Sequence, residues 1–508
     1  MKFFKEKEFV IVVFATGAAI LVIEIMASRI LSPFFGNTIY TYSSIITVVL
    51  AALSFGYYAG GVLADKKPNQ EIFYQIILVA SFFTLLIDVL TTFFLGKISL
   101  SFSTISGPLV ASLILFFVPS FLLGTLSPFS IKLQSLKSKA GIGRISGEVF
   151  FWSTLGSILG SLLSGFYLIP TFGIKKIILG VSLWLFVIGF LGTITSKTKK
   201  RILIIISLLF ALFFLLSSQI TLSRTGSIFQ TEGLYERLEV IDFTYGGKPA
   251  RLLRSETNSS SAIYQNSDEL VWEYSEYFRL FKLIKPEIGR VLVMGAGAYS
   301  LPKAFLSENP TAVVDVVDIE PKLWEIAKTY FRVEDNPRLV NFVGDARIFL
   351  MKRDQTYDVI FSDLYLSINT IPTHVLTQEF FTLNKSHLNE DGVLIANLIG
   401  SLSPVKKSLL LSSMATFSSV FPNAYFFAVL DSQSHQLQNI IALGVNGQKK
   451  LSFPEKTEDP FLKKAFSHLI DTQSLNLGKQ LVLNDDYAPV EFYSALAIKR
   501  SKEAPQTE

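Results

Sequence analysis

The sequence predicts a multi-pass α-helical membrane domain of about seven spans, followed by an α/β domain built on a parallel sheet. Three observations predict it. Half of the 508 residues are hydrophobic and only 17% are charged, below the ~25% charged residues of ordinary soluble domains. Before residue 222 the apolar residues gather in blocks of roughly twenty, the length that crosses ~30 Å of hydrocarbon. Beyond it, short apolar runs end repeatedly in glycine or aspartate.

The same composition excludes an ordinary cytosolic enzyme, a disordered chain and collagen. No cysteine is present, which removes disulfides, thiolate nucleophiles and Cys-ligated zinc together. Four histidines leave little for a metal site, so none is expected. A formal charge of +5 is too small to argue for nucleic acid.

The apolar blocks fall at about 9–31, 40–63, 71–95, 107–130, 149–170, 174–195 and 202–220. The first contains Glu24 and Arg29 and has no cleavage site behind it, so it reads as a span rather than a cleaved leader. Small residues recur every fourth position at Gly56 and Gly60, and again at Gly156, Gly160 and Ser164. That spacing places them on one helix face, where backbones approach closely, and packing is the expected role. Glu24, Arg29, Asp88 and Glu148 lie within or beside spans, where charge is costly, and for Glu24 and Arg29 a mutual or cross-helix ion pair is expected before a transport site.

Charge placement gives the orientation. With the N-terminus inside, thirteen Lys and Arg of this half face the cytoplasm, against Arg29, Lys97, Lys175 and Lys176 on the other side. The basic run 196–201 fits this topology and anionic lipid better than nucleic acid. Seven spans would then put the second half outside, whereas a sulfonium donor of the kind inferred below is made in the cytosol. The expected location is the cell membrane, with the side of the second half unresolved.

In that half, 291–294 reads as a buried strand stopped by Gly295 and Gly297, with a helix over 301–306. Strands follow at 313–317, 339–343, 357–361 and 393–397, with a helix over 322–330. Acidic residues stand at successive strand ends: Asp318, Asp345 and Asp363. In an open parallel sheet those ends meet in the ligand crevice. Gly295 and Gly297 let the backbone approach a ligand, Asp318 is placed for ribose hydroxyls, and Asp345 for an adenine amino group. Ser300 occupies the third glycine position of a pyrophosphate-binding turn, and no phosphate loop exists elsewhere. An adenosine ligand without pyrophosphate, an S-adenosyl sulfonium compound, suits these residues better than NAD or ATP.

At these residues the chain resembles the spermidine synthase (polyamine aminopropyltransferase) family, and more closely its bacterial branch fused behind membrane helices. The motifs are Gly-Ala-Gly-Ala-Tyr-Ser-Leu-Pro (295–302), Val-Asp-Ile-Glu-Pro (317–321), Gly-Asp-Ala-Arg (344–347) and Tyr-Asp-Val-Ile-Phe-Ser-Asp (357–363). Segments 371–381 and 484–491, with the membrane motifs at 23–24, 56–61 and 153–157, resemble the fused branch. The resemblance implies a Rossmann-like, methyltransferase-type domain behind a small β-subdomain at about 232–265. The expected division is then 1–221 for the membrane helices, 222–285 for the β-subdomain and linker, and 286–508 for the nucleoside-binding domain.

It further implies decarboxylated S-adenosylmethionine as co-substrate, no permanently bound cofactor, and transfer of an aminopropyl group to an amine such as putrescine with release of methylthioadenosine. Asp363 matches the catalytic aspartate. Gly295, Gly297, Asp318, Asp345 and Ala346 match the donor site, and Asp268, Tyr274 and His374 are candidates for the acceptor side. The chain departs from the soluble members where Leu366 and Ser367 replace an acid and a proline, and where Trp272 and Glu273 replace a tyrosine and a histidine. A diamine pocket short of one carboxylate binds its cation less well. An S-adenosylmethionine-dependent methyltransferase on a membrane-associated acceptor, and a transporter or sensor with a ligand-binding domain, are the alternatives. Expected partners are the lipid bilayer and a small-molecule amine, with a homodimer left open. His387 and His435 read as structural, and Asp485, Asp486 and Glu491 as partners of basic loops.

Overall fold

The computed structural model describes residues 7–194, 200–219, 226–256, 258–365, 371–451 and 458–503. The chain divides into two compact units, Met1–Ser223 and Arg224–Glu508.

In the first unit, six helices are long and apolar enough to cross a membrane: α1 (Glu8–Phe35), α2 (Ile39–Lys66), α3 (Gln70–Ser99), α4 (Gly107–Lys137), α5 (Ile142–Thr171) and α6 (Ile174–Ile194). The seventh expected block is also helical, α7 (Lys200–Gln219), with a shorter described apolar stretch, Ile205–Gln219. Helix direction alternates. A Cβ on Gly156 or Gly160 would fall 2.0 Å from the Phe14 carbonyl oxygen or 2.4 Å from that of Ala18, so α1 and α5 touch backbone to backbone and run parallel. Gly56 and Gly60 bring α2 against α4 at the Phe121 and Thr125 carbonyls. Gly189 and Gly192 meet Leu78 and Tyr74, which makes α3 and α6 antiparallel. Phe82 packs on Phe213 with centroids 5.3 Å apart, and Asp88 accepts a hydrogen bond from Ser217, so α7 follows α3 in the same direction. Glu148, at the edge of its span, pairs with Lys7.

The second unit opens with an antiparallel sheet of β1 (Ser227–Glu232), β2 (Arg237–Tyr245), β3 (Lys248–Ser255) and β4 (Asn258–Tyr264). The larger sheet holds β5 (Arg290–Met294), β6 (Val313–Asp318), β7 (Leu339–Val343), β8 (Tyr357–Ser362), β9 (Leu388–Gly400), β10 (Ala424–Ala428) and β11 (Gln438–Val445). Their order is β10-β11-β9-β8-β5-β6-β7, parallel from β9 to β7, with β11 antiparallel to β9 and β10 antiparallel to β11. This is the expected Rossmann-like, methyltransferase-type architecture; β10 and β11 are additions that strand reading did not name.

Helices cover both faces, which is why the central strands are mainly apolar rather than alternating, with Asp315 and Asp358 buried in ion pairs to Arg290 and Lys285. All six residues of β8 are buried. Val291 and Val293 of β5 enter one core, while Leu292 and Met294 enter the other. Each such side chain contributes ~1.5–3 kcal/mol by leaving water. The chain turns from β5 to β6 on one side and places β8 on the other, so the strand order reverses between β5 and β8. A ligand crevice is expected at that reversal.

Candidate active site

The reversal point is a backbone contact. Gly295 ends β5 at φ +93, and a Cβ there would lie 2.1 Å from the Asp363 carbonyl oxygen. Only glycine permits both that φ and that approach. Asp363 N–H donates to the Met294 carbonyl at 2.9 Å, and Gly295 N–H to that of Val317 at 2.9 Å. Gly297, at φ +50, lies against Ser261 of β4. Tyr299 follows in the left-handed region at φ +59 and opens the helix Ser300–Glu308. Strained residues of this kind gather where a site over-determines the backbone.

Three aspartates sit at the neighbouring strand ends. Asp318 accepts from Ala296 N–H at 2.8 Å and from Glu320 N–H at 2.9 Å, one on each oxygen. Burial pushes its carboxyl above the ordinary value, opposed by those backbone donors. Asp345 caps the helix Ala346–Met351 by accepting from Ile348 N–H at 2.9 Å, and its other oxygen lies 3.0 Å from His374 Nε2. Ala346 is buried in the first turn of that helix. Gly344 N–H, donating to the Asp318 carbonyl at 2.8 Å, ties the two strand ends together.

Asp363 is held on both oxygens. Tyr274 Oη donates to Oδ2 at 2.9 Å and Asn397 Nδ2 to Oδ1 at 2.9 Å. Burial pushes the carboxyl up, against the pull of Asn397 and Tyr274. Tyr274 is pushed well above its ordinary value by burial and by the Asp363 charge, so it stays a proton donor. A carboxylate offers about four lone-pair sites. In each of the three aspartates the bonds just given use one site on either oxygen, leaving acceptor capacity for a ligand.

Six of the expected residues are thus joined through short contacts, Gly295, Asp318, Asp345, Asp363, Tyr274 and His374, with Ala346 next to Asp345 in the chain. Gly297 belongs to the same turn. Asp268 goes elsewhere: it is exposed and paired with Lys303 at 2.8 Å and Arg332 at 3.0 Å. Lys303 holds its carboxyl below the ordinary value. Two cations reach Asp268 because the loop carrying it runs beside the Ser300–Glu308 helix rather than toward Asp363. Asp485 pairs with Arg347 and accepts from Thr377 Oγ1 at 2.8 Å, as expected of a partner to basic loops. The departures at Leu366 and Ser367 lie outside the described residues, as do Lys2, Lys5 and the start of the basic run, 196–199.

Sequence reasoning missed Asn397, Asn439 and Glu236. Asn397 interrupts the apolar run of β9, which resumes at Leu398 and Ile399, and a lone buried amide within such a run is the signal that could have named it. Asn439 had none. Glu236 is buried, accepts from Ser255 Oγ, and precedes β2 in a turn that docks on Glu320 through Tyr235 N–H at 3.0 Å. Burial, then the charges of Asp318, Glu256 and Glu320, push its carboxyl well up.

Residues 280–442 match the spermine/spermidine synthase domain family. The chain is 28% identical over 229 residues to a polyamine aminopropyltransferase of Vibrio vulnificus (strain CMCP6), covering 44% of this chain and 75% of that one. It is 23% identical over 406 residues to polyamine aminopropyltransferase 2 of Aquifex aeolicus (strain VF5), covering 75% of this chain and 77% of the relative. Among solved structures, a probable spermidine synthase from Corynebacterium glutamicum ATCC 13032 superposes with a TM-score of 0.44 at 20% identity, over 53% of this chain and 98% of that one.

Proposed function

We propose, from the match of residues 280–442 to the spermine/spermidine synthase domain family, that the chain transfers an aminopropyl group from decarboxylated S-adenosylmethionine to an amine. The single observation behind this reading is Asp363, fixed at the β5–β8 reversal by Tyr274 and Asn397 with lone pairs left over. An ammonium acceptor must lose a proton before it can attack. A carboxylate within hydrogen-bond reach orients the nitrogen and draws that proton away. The nitrogen then forms a bond to the aminopropyl carbon next to the sulfonium, the carbon–sulfur bond breaks with its electron pair going to sulfur, and methylthioadenosine leaves. Asp318 is assigned to the ribose hydroxyls and Asp345 to the adenine amino group. His374, on Asp345, is assigned to the rim of that site. No resident metal or cofactor enters the scheme.

The amine class stays broader than putrescine. The segment after Asp363 carries no second acid, so the distal nitrogen of a diamine gains less here than in the soluble members. Calorimetry on the detergent-solubilised protein tests the donor. Decarboxylated S-adenosylmethionine and methylthioadenosine should bind more tightly than S-adenosylmethionine, and Asp318→Ala should abolish both. Tighter binding of S-adenosylmethionine would replace this reading with a methyltransferase, and no binding at all would remove the enzyme.

The apolar helices support a membrane anchor, and the charge distribution supports a cytoplasmic N-terminus. The parallel course of α3 and α7 supports a seventh crossing, which would deliver residues 224–508 to the opposite face, where the cytosolic donor would have to be exported to reach the site. Because the chain has no cysteine, single-cysteine variants can be labelled cleanly in intact cells. An impermeant maleimide should label Asp354→Cys and spare Lys139→Cys; the reverse pattern would return the second unit to the cytoplasm.

A further inference from the structure

Resting on the reading of Asp363 as the carboxylate that receives the amine proton, we propose that Asn439, acting through Asn397, is a positioning residue that orients Asp363 and holds it ionised. Asn397 lies on β9, one residue past the pair Ser362–Ala396, beside Asp363 at the end of β8. It is 2% exposed and surrounded by apolar strand residues. An ionised carboxylate only accepts, so Asn397 must turn its Nδ2 toward Asp363 Oδ1, at 2.9 Å. Its own oxygen then faces away and accepts from Asn439 Nδ2 at 3.0 Å. Asn439 stands on the antiparallel strand β11, opposite Ile399. The charge on one aspartate therefore dictates the orientation of two amides on two further strands.

An apolar pair would be the cheaper filling for this part of the sheet, because a buried amide must recover the hydrogen bonds it gives up to water. Two linked amides polarise one another and strengthen the last bond in the chain, the one to Asp363. The relay opposes the burial that pushes Asp363 up. The other titratable groups facing the carboxylate are Tyr274 and Tyr365, both raised by burial and by Asp363 itself, so neither supplies a counter-charge.

Infrared difference titration of the full-length protein reads the carboxyl stretch of Asp363, identified by its loss in Asp363→Asn. Asn439→Ala should raise the protonation midpoint by about half a unit, and Asn397→Ala by about one unit, since each weakens or removes a donor to the anion. In turnover assays both variants should lose kcat, with the acid limb of the pH profile displaced upward and methylthioadenosine affinity unchanged. An Asp363 midpoint in Asn439→Ala that coincides with wild type would overturn the relay. Should Asn397→Ala fail to fold, the half-buried Asn439 still decides the question. A wild-type protein without transferase turnover would remove the aminopropyl reading, while the infrared midpoints would still judge the relay.

Discussion

Two glycines in separate units make almost the same contact and serve opposite ends. On α5, a Cβ on Gly156 would lie 2.0 Å from the Phe14 carbonyl oxygen; at the end of β5, one on Gly295 would lie 2.1 Å from that of Asp363. In the helical unit the missing Cβ lets two apolar rods touch, and its product is packing. In the α/β unit it lets a strand end meet the backbone of an aspartate whose side chain, held by Tyr274 and Asn397, keeps lone pairs for a ligand. Close approach is a structural device in both places, and the polar group beside it decides whether a site results.

The largest effect should separate the two. Gly295→Ala forces a side chain into a backbone oxygen at positive φ, and at least ~100-fold of kcat/KM should be lost, as expected when a catalytic group is displaced by about 1 Å. Methylthioadenosine binding should weaken with it. Gly156→Leu should lower the thermal midpoint of the detergent-solubilised protein by several degrees through lost helix packing, and leave methylthioadenosine affinity in the surviving folded fraction within twofold. Equal loss of ligand binding in both variants would break the comparison.

An intermediate effect concerns pH. Asp363 is displaced upward by burial, and Tyr274 opposes that displacement by donating to the ionised form. Activity needs the anion, so rate should fall as pH drops through a midpoint above the ordinary carboxylate value. Tyr274→Phe removes a donor to the anion, so the anion becomes harder to form and the acid limb should move to higher pH, by ~0.5–1 unit. A limb that moved to lower pH would mean that Tyr274 serves the protonated form.

Asp268→Ala should do least. Its ion pairs with Lys303 and Arg332 are exposed, and such pairs contribute ~0–1 kcal/mol. Acceptor KM should change less than twofold in steady-state assays. A tenfold rise would restore Asp268 to the acceptor site.

What could be foreseen follows from how each element is stabilised. The inner strands β5, β6, β8 and β9 are largely buried on both faces, so they read as mainly apolar runs, and the polar residues at their ends read as strand ends. The spans were legible for the same reason, because lipid and core both demand continuous apolar stretches. Strands β10 and β11 add an antiparallel return beyond β9 that leaves no acid at its end, and they passed unnoticed. Asn439 reaches Asp363 only through the register of β11 on β9, a pairing some forty residues apart that no local pattern encodes. Tyr274 was reachable through its neighbourhood, whereas the cations that occupy Asp268 come from Lys303 and Arg332, well downstream.

The contact between Gly295 and Asp363 also constrains descent. Any side chain at residue 295 must collide with the backbone of Asp363, so a single step away from glycine displaces the carboxylate proposed to act there. At Trp272 and Glu273, by contrast, the backbone meets no such collision, because neither position is a glycine pressed against a carbonyl. The turn that carries Gly295 should therefore be the part of this unit that tolerates change least.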